Sequence, residues 1–105
     1  MKGALRALGL CRRAGALVCG TPMICTALRG GDKKPLMVVA ASDVSDATLK
    51  KLTDKTGFYS TPLYRIDATG EELAAAVGKS GSLAAVAVTD KNLAALVEKN
   101  LGGKD

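Results

Sequence analysis

The sequence predicts an α/β fold in which a sheet lies between helical layers. Three observations carry this. Helical and strand-like segments alternate along the chain, in the order helix, short strand, helix, then three strand–helix units. Two of the strand segments, Leu36–Ala41 and Ala84–Val88, are unbroken apolar runs, the pattern of strands covered on both faces. The apolar residues make up 48% of the 105 positions and are mostly Ala, Val and Leu, with one Phe and no Trp; side chains this small suit helices packed closely on a sheet.

The first element is a helix over Lys2–Ala14. At about 100° per residue, Ala4, Ala7, Leu8, Cys11 and Ala14 share one side, and Lys2, Arg6, Gly9 and Arg13 share the opposite one. The outer stripe is basic and contains no acid. Ala16–Cys19 reads as a short strand. Thr21 is a good N-cap for the next helix, and Pro22 fits its first position, where the missing N–H would be unpaired anyway. That helix covers Pro22–Leu28, with Ile24, Ala27 and Leu28 inward, and the glycine-rich basic turn Arg29–Lys34 ends it.

Leu36–Ala41, bounded by Pro35 and Ser42, is a central strand. Ser45–Thr56 returns to helical period, with Thr48, Leu49 and Leu52 inward and Lys50, Lys51 and Lys55 outward; Gly57 is expected to stop it. Pro62–Ile66 alternates as a half-covered strand. Glu71–Val77 is a short helix with acids at its positive end. Gly78–Ser82 is a loop and Ala84–Val88 a second central strand. Asp90 caps the last helix, which buries Leu93, Leu96, Val97 and Leu101 before the frayed tail Gly102–Asp105. Right-handed crossovers would place helices on both faces of the sheet.

The length fits one domain over residues 1–105. The net charge of +5 fits RNA or DNA as a partner. Three cysteines, Cys11, Cys19 and Cys25, and no histidine argue against a disulfide framework and against zinc. They read as small core thiols in a reducing cytosol. Without histidine there is no Ser-His or Cys-His nucleophile pair. No apolar run is long enough to span a membrane. Met1-Lys2 is followed by an arginine-punctuated helix rather than a signal-peptide core, which predicts a cytoplasmic protein.

Gly78-Lys79-Ser80 invites a phosphate-loop reading, but the glycine needed five residues earlier is Leu73, and the segment runs from helix to strand rather than strand to helix. Asp43 and Asp90 each follow a buried strand and are expected together at strand C-terminal ends, an edge that often binds ligands. Two carboxylates there could hold Mg²⁺; helix capping is the simpler expectation. The sequence predicts no enzyme, metal or cofactor. What remains is basic and polar: Arg6, Arg12 and Arg13, the helix opening at Gly20-Thr21-Pro22, the Arg29/Lys33/Lys34 turn and the Lys79–Ser82 loop. Structured RNA is often read by shape and phosphate contacts. Tyr59, Tyr64 and Phe58 are the only rings, too few for a stacking platform of the RRM or OB type.

Leu8–Gly20, Val38–Asp43, Glu72–Gly78, Ala84–Asp90 and the element order resemble the ribosomal protein L7Ae/L30e family, above all its small bacterial members. The resemblance runs from Leu5 to Leu101. It implies a three-layer α/β/α sandwich with a central mixed sheet that binds kink-turn or related RNA. The family's reading helix opens Gly-x-Asn-Glu-x-x-Lys; the matching positions here are Gly20, Pro22, Met23 and Thr26, so only the glycine is kept. The expected RNA-binding residues are Arg13, Gly20, Thr21, Thr26, Arg29, Lys33, Lys34, Lys79, Ser80, Gly81 and Ser82. Thr21 would offer the helix end, the cations phosphate contacts, and Ser80 and Ser82 hydrogen bonds. The implied partner is structured RNA, ribosomal or ribosome-associated, with a protein partner in translation also open. The alternative is a protein-interaction module that kept the fold and lost kink-turn recognition, motivated by the apolar Pro22-Met23 helix start.

Overall fold

The computed structural model describes residues 2–30 and 34–102. Its elements are α1 (Lys2–Arg13), β1 (Leu17–Cys19), α2 (Thr21–Leu28), β2 (Met37–Ala40), α3 (Asp46–Phe58), β3 (Leu63–Arg65), α4 (Gly70–Ala76), β4 (Ala85–Val88) and α5 (Lys91–Gly102). The predicted α/β order is borne out element by element, with strand ends shorter by one or two residues. No helix among the described residues is long and apolar enough to cross a membrane.

The four strands lie in the order β1-β4-β2-β3. β4 is antiparallel to both β1 and β2, while β2 and β3 are parallel, so the sheet is mixed. β2 and β4 are buried at every position, and that is why their sequences are unbroken apolar runs. Alternate side chains feed two cores. Met37, Val39, Val86 and Val88 meet Leu8 and Cys11 of α1, Leu73 of α4 and Val97 of α5. Val38, Ala40, Ala85 and Ala87 meet Ile24 and Leu28 of α2 and Leu52 of α3. The result is a three-layer α/β/α sandwich.

The antiparallel course of β4 divides the molecule into two rims. β1, β2 and β3 end, and β4 begins, at what we term the upper rim; α2, α3 and α4 start there. α1 and α2 end, and α5 starts, at the lower rim. This corrects the expected pairing of Asp43 and Asp90. Asp43 follows β2 at the upper rim and Asp90 follows β4 at the lower rim, because the two strands run in opposite directions. Asp90 caps its own helix, accepting from the Leu93 N–H at 2.9 Å.

Other expectations are corrected by local geometry. Thr21 is not the cap of α2. Gly20 takes that position at φ +91° and ψ 142°, and no side chain caps the end. Gly57 lies inside α3; the chain turns only at Ser60, whose φ is +56°. Ala14 falls beyond the end of α1 and is exposed, and Leu96 is 37% exposed on the outer side of α5.

Candidate nucleic-acid interface

Two segments of the upper rim build the candidate site. The first is the start of α2. β1 carries the chain to the rim, where the Gly20 N–H donates to the Ala85 carbonyl at 3.0 Å. This bond fixes Gly20 in a left-handed extended conformation that a side chain would strain. The chain then turns directly into a helix. With no side-chain cap and with Pro22 in the first turn, the Thr21 and Met23 N–H groups are left as open donors at the positive end of the helix dipole. Pro22 and Met23 are exposed, Met23 at 60%. Thr26, one turn on, is exposed and donates its hydroxyl back to the Pro22 carbonyl at 3.1 Å.

The second segment is the loop between α4 and β4. Gly78 has φ +75°, its N–H bonds the Ala75 carbonyl at 3.2 Å, and the Lys79 N–H bonds the Ala74 carbonyl at 2.9 Å. These two bonds end α4 in a Schellman turn. Lys79, Ser80, Gly81 and Ser82 are all exposed, and Gly81 has φ +82°. The loop is then pinned: the Leu83 N–H donates to the Gly70 carbonyl at 3.0 Å, and the Ser82 hydroxyl lies where a Cβ on residue 70 would sit. From Leu83 the chain runs straight into Ala85, the residue that holds Gly20. Loop and helix end therefore share one anchor on β4.

The predicted basic residues do not all join this site. Arg29 and Lys34 lie near the lower rim, beyond the C-terminal end of α2, and Lys34 stands 5.9 Å from the ring centre of Tyr59. Arg13 ends α1, also at the lower rim and on the other face of the sheet. Lys33 lies outside the described residues. Gly20 and the Lys79–Ser82 loop are linked through β4, since Gly20 bonds Ala85, two residues after Leu83 ends the loop; Thr21 follows Gly20 directly, and Thr26 lies further along α2. Across the rim, toward α3 and α4, stand Asp43, Asp46, Asp67, Glu71 and Glu72, with the exposed Arg65 at the end of β3 donating to the Ser42 carbonyl at 2.7 Å among them.

Sequence reasoning missed two contributors. Asp43 accepts from the Gly70 N–H at 2.9 Å and so ties the end of β2 to the start of α4 under the loop. No local pattern signals a contact 27 residues apart. Arg12, grouped with the surface cations, instead donates to the Val77 carbonyl at 2.7 Å and clips the C-terminal end of α4. No group of three or more His, Cys, Asp or Glu among the described residues stands close enough to hold a metal ion.

The model of the ribosomal protein L7Ae/L30e/S12e/Gadd45 family matches residues 3–98. The chain belongs to this family. It is similar to the RNA-binding protein YlxQ of Bacillus subtilis (strain 168), with 33% identity over 87 residues, 83% of each chain. It is also 32% identical over 68 residues to the RNA-binding protein YlxQ of Enterococcus faecium, covering 65% of this chain and 64% of that one. Among solved structures, a Bacillus halodurans protein described as of unknown function superposes with a TM-score of 0.77 at 32% identity, covering 90% of this chain and 96% of its own. The Giardia lamblia 15.5kD RNA binding protein shares the fold, with a TM-score of 0.74 at 19% identity, over 93% of this chain and 81% of its own.

Proposed function

We propose that this member of the L7Ae/L30e family is a non-catalytic RNA-binding protein that takes a structured RNA, a kink-turn or a related bend, at the start of α2 and the α4–β4 loop. The observation that carries the reading is the open helix end: Thr21 and Met23 N–H groups with no side-chain cap, beside an exposed loop that offers Lys79, Ser80 and Ser82. Backbone donors at a helix N-terminus suit phosphate oxygens, and the flanking hydroxyls suit sugar and base edges. The RNA-binding names of its bacterial relatives support the same partner.

Recognition here rests on shape and backbone. Pro22 and Met23 carry no group that hydrogen-bonds a base edge, and the hydroxyl of Thr26 is turned back on its own helix. Arg29 and Lys34 extend the contact along α2 for an RNA that continues past the helix end. Arg13 stands on the α1 face, lining one groove with Gly78 at the base of the α4–β4 loop rather than at the start of α2. A structured RNA of the ribosome, or one bound to it in the cytoplasm, is the target this chemistry fits.

The test is binding of the purified protein to a kink-turn RNA and to a plain duplex of equal length, titrated across salt. Preference for the kink-turn supports recognition by shape. Equal and steeply salt-dependent binding leaves a general RNA surface. Absence of both favours a second reading, a protein-docking role for the same helix end, for which the 60% exposure of Met23 is the specific observation.

A further inference from the structure

A groove of about 730 Å³ runs between the outer face of α1 and the C-terminal end of α4. It lies across the sheet from α2 and meets the proposed RNA surface only at Gly78, where the α4–β4 loop begins. Leu5, Leu10 and Ala75 contribute its apolar surface, and Arg6, Arg12 and Arg13 line it as well. Its floor depends on Gly9. A Cβ there would come within 2.9 Å of the Ala76 carbonyl oxygen, so only glycine lets α4 approach this closely. A shallower trough continues the surface over α1 to α5, sharing Arg6 and Leu10 and adding Leu96.

The chemistry of this face is selective. The charged residues that line the groove are three arginines, with no lysine and no acid, whereas α3 presents Lys50, Lys51 and Lys55. Among the described residues the one ion pair is Lys50–Asp54, so none of the three arginines is neutralised. Leu10 is 42% exposed and Leu96 is 37% exposed, and Arg6 lines the same trough. Arginine beside exposed aliphatic side chains is the composition of protein interfaces, where lysine is depleted. The planar guanidinium pairs carboxylates in a fork. The groove has no aromatic ring on which a base could stack, and RNA gains little from covering leucines.

We infer that the α1–α4 groove docks an acidic amphipathic helix of a protein partner. Leucine-type side chains on that helix enter between Leu5, Leu10 and Ala75, and its flanking carboxylates meet Arg6 and Arg13. Arg12 stays on the Val77 carbonyl and holds the groove wall. Helix-in-groove docking of this kind reads apolar anchors at helical spacing. An RNA on the upper rim and a protein on α1 can then be held at once.

The probe is a synthetic helical peptide with a leucine stripe flanked by glutamates, set against a scrambled peptide of the same composition. Binding is followed by amide shifts of the labelled full-length protein. The expected result is shifts at Gly3, Arg6, Gly9, Leu10 and Gly78, with Gly20 and Met23 unmoved. Affinity should exceed that of the scrambled peptide by about tenfold or more and fall by a similar factor in Arg6→Glu and in Leu10→Ser. Both variants should bind RNA as the parent does. Three results would overturn the inference: no binding, equal binding of both peptides, or RNA shifting the α1 amides and losing affinity in Arg6→Glu. The last would make the groove an arm of the RNA surface, and the RNA reading itself would survive.

Discussion

Asp43 accepts a hydrogen bond from the backbone N–H of Gly70 at 2.9 Å, joining the end of β2 to the first turn of α4. The contact places a carboxylate at a helix N-terminus, where the dipole favours it. Gly70 also holds the α4–β4 loop through its carbonyl and Leu83. Removing the carboxylate in Asp43→Ala should therefore cost about 1–2 kcal/mol, the range of a lost cap or a charged hydrogen bond. Denaturant unfolding checks the stability. Faster amide exchange at Gly70 and Leu83, with Ile24 unchanged, checks that the loss is local. Unchanged exchange at Leu83 would separate the loop from Asp43.

The loop carries one cation, Lys79, and it is exposed. If that ammonium meets a phosphate, Lys79→Ala should lower the slope of log affinity against log salt by about 0.7–0.9. Lys50→Ala is the matched control. Lys50 sits on the outer face of α3, 3.3 Å from Asp54, away from the proposed footprint. Titration of one RNA with parent and both variants over a range of salt decides it. Equal slopes for all three would remove Lys79 from the interface.

How much of this was legible in the sequence follows from how local each signal is. The apolar runs of β2 and β4 named their own burial, and Asp90, Ser45 and Thr69 cap helices within three residues of themselves. The α2 opening was legible in kind but shifted by one residue, because Gly20 is fixed by a bond to Ala85 that no local propensity encodes. The family resemblance implied a mixed sheet, but which strand reverses was not legible. With β4 read as parallel, Asp43 and Asp90 fall on one edge; with its true antiparallel course they lie on opposite rims. The same reversal is why the α4–β4 loop returns to the upper rim and meets α2. Arg13, close to Gly20 in sequence, stands at the other end of β1 because the strand runs between them.

Cys11 lies in the core, and burial, with the Asp90 charge as a smaller contribution, pushes its thiol from the ordinary 9.0 up to about 11. In the unfolded chain the thiol ionises near its ordinary value, so the folded state holds the extra proton between these limits. The stability this group provides is complete below pH 9.0 and is lost as pH rises toward 11. Tyr64 acts in the same direction. Its hydroxyl donates to Glu98 at 2.8 Å, and that bond raises its pKa above the ordinary 10.0. Unfolding free energy should therefore fall with pH above 9.0, less steeply in Cys11→Ala, and less again when Tyr64→Phe is added. At neutral pH a thiol reagent should label the partly exposed Cys19 first and Cys11 only on unfolding. Early labelling of Cys11 would mean that α1 opens locally.

The start of α2 allows the sharpest test, because the three positions that depart from the family's reading helix are all exposed. Pro22→Asn restores a backbone N–H in the first turn and adds an amide. Met23→Glu places a carboxylate at the positive end of the helix. Thr26→Lys removes the hydroxyl that is now bonded to the Pro22 carbonyl and reaches outward one turn later. None of the three side chains is buried, so the triple variant should fold with little change in melting temperature. Its preference for a kink-turn over a duplex should rise by at least about tenfold, since a well-placed side-chain contact to a base edge contributes about 1–3 kcal/mol of discrimination. Thr26→Lys alone should raise affinity for both RNAs equally, because one added cation reads charge and not sequence. A gain in the triple variant means that the loop and helix end already hold the geometry of the family's RNA site, and that the parent chain lacks only the base-reading groups. A folded triple variant with no gain means that Lys79–Ser82 does not form the second wall of that site, and the RNA footprint would then have to be sought away from the upper rim.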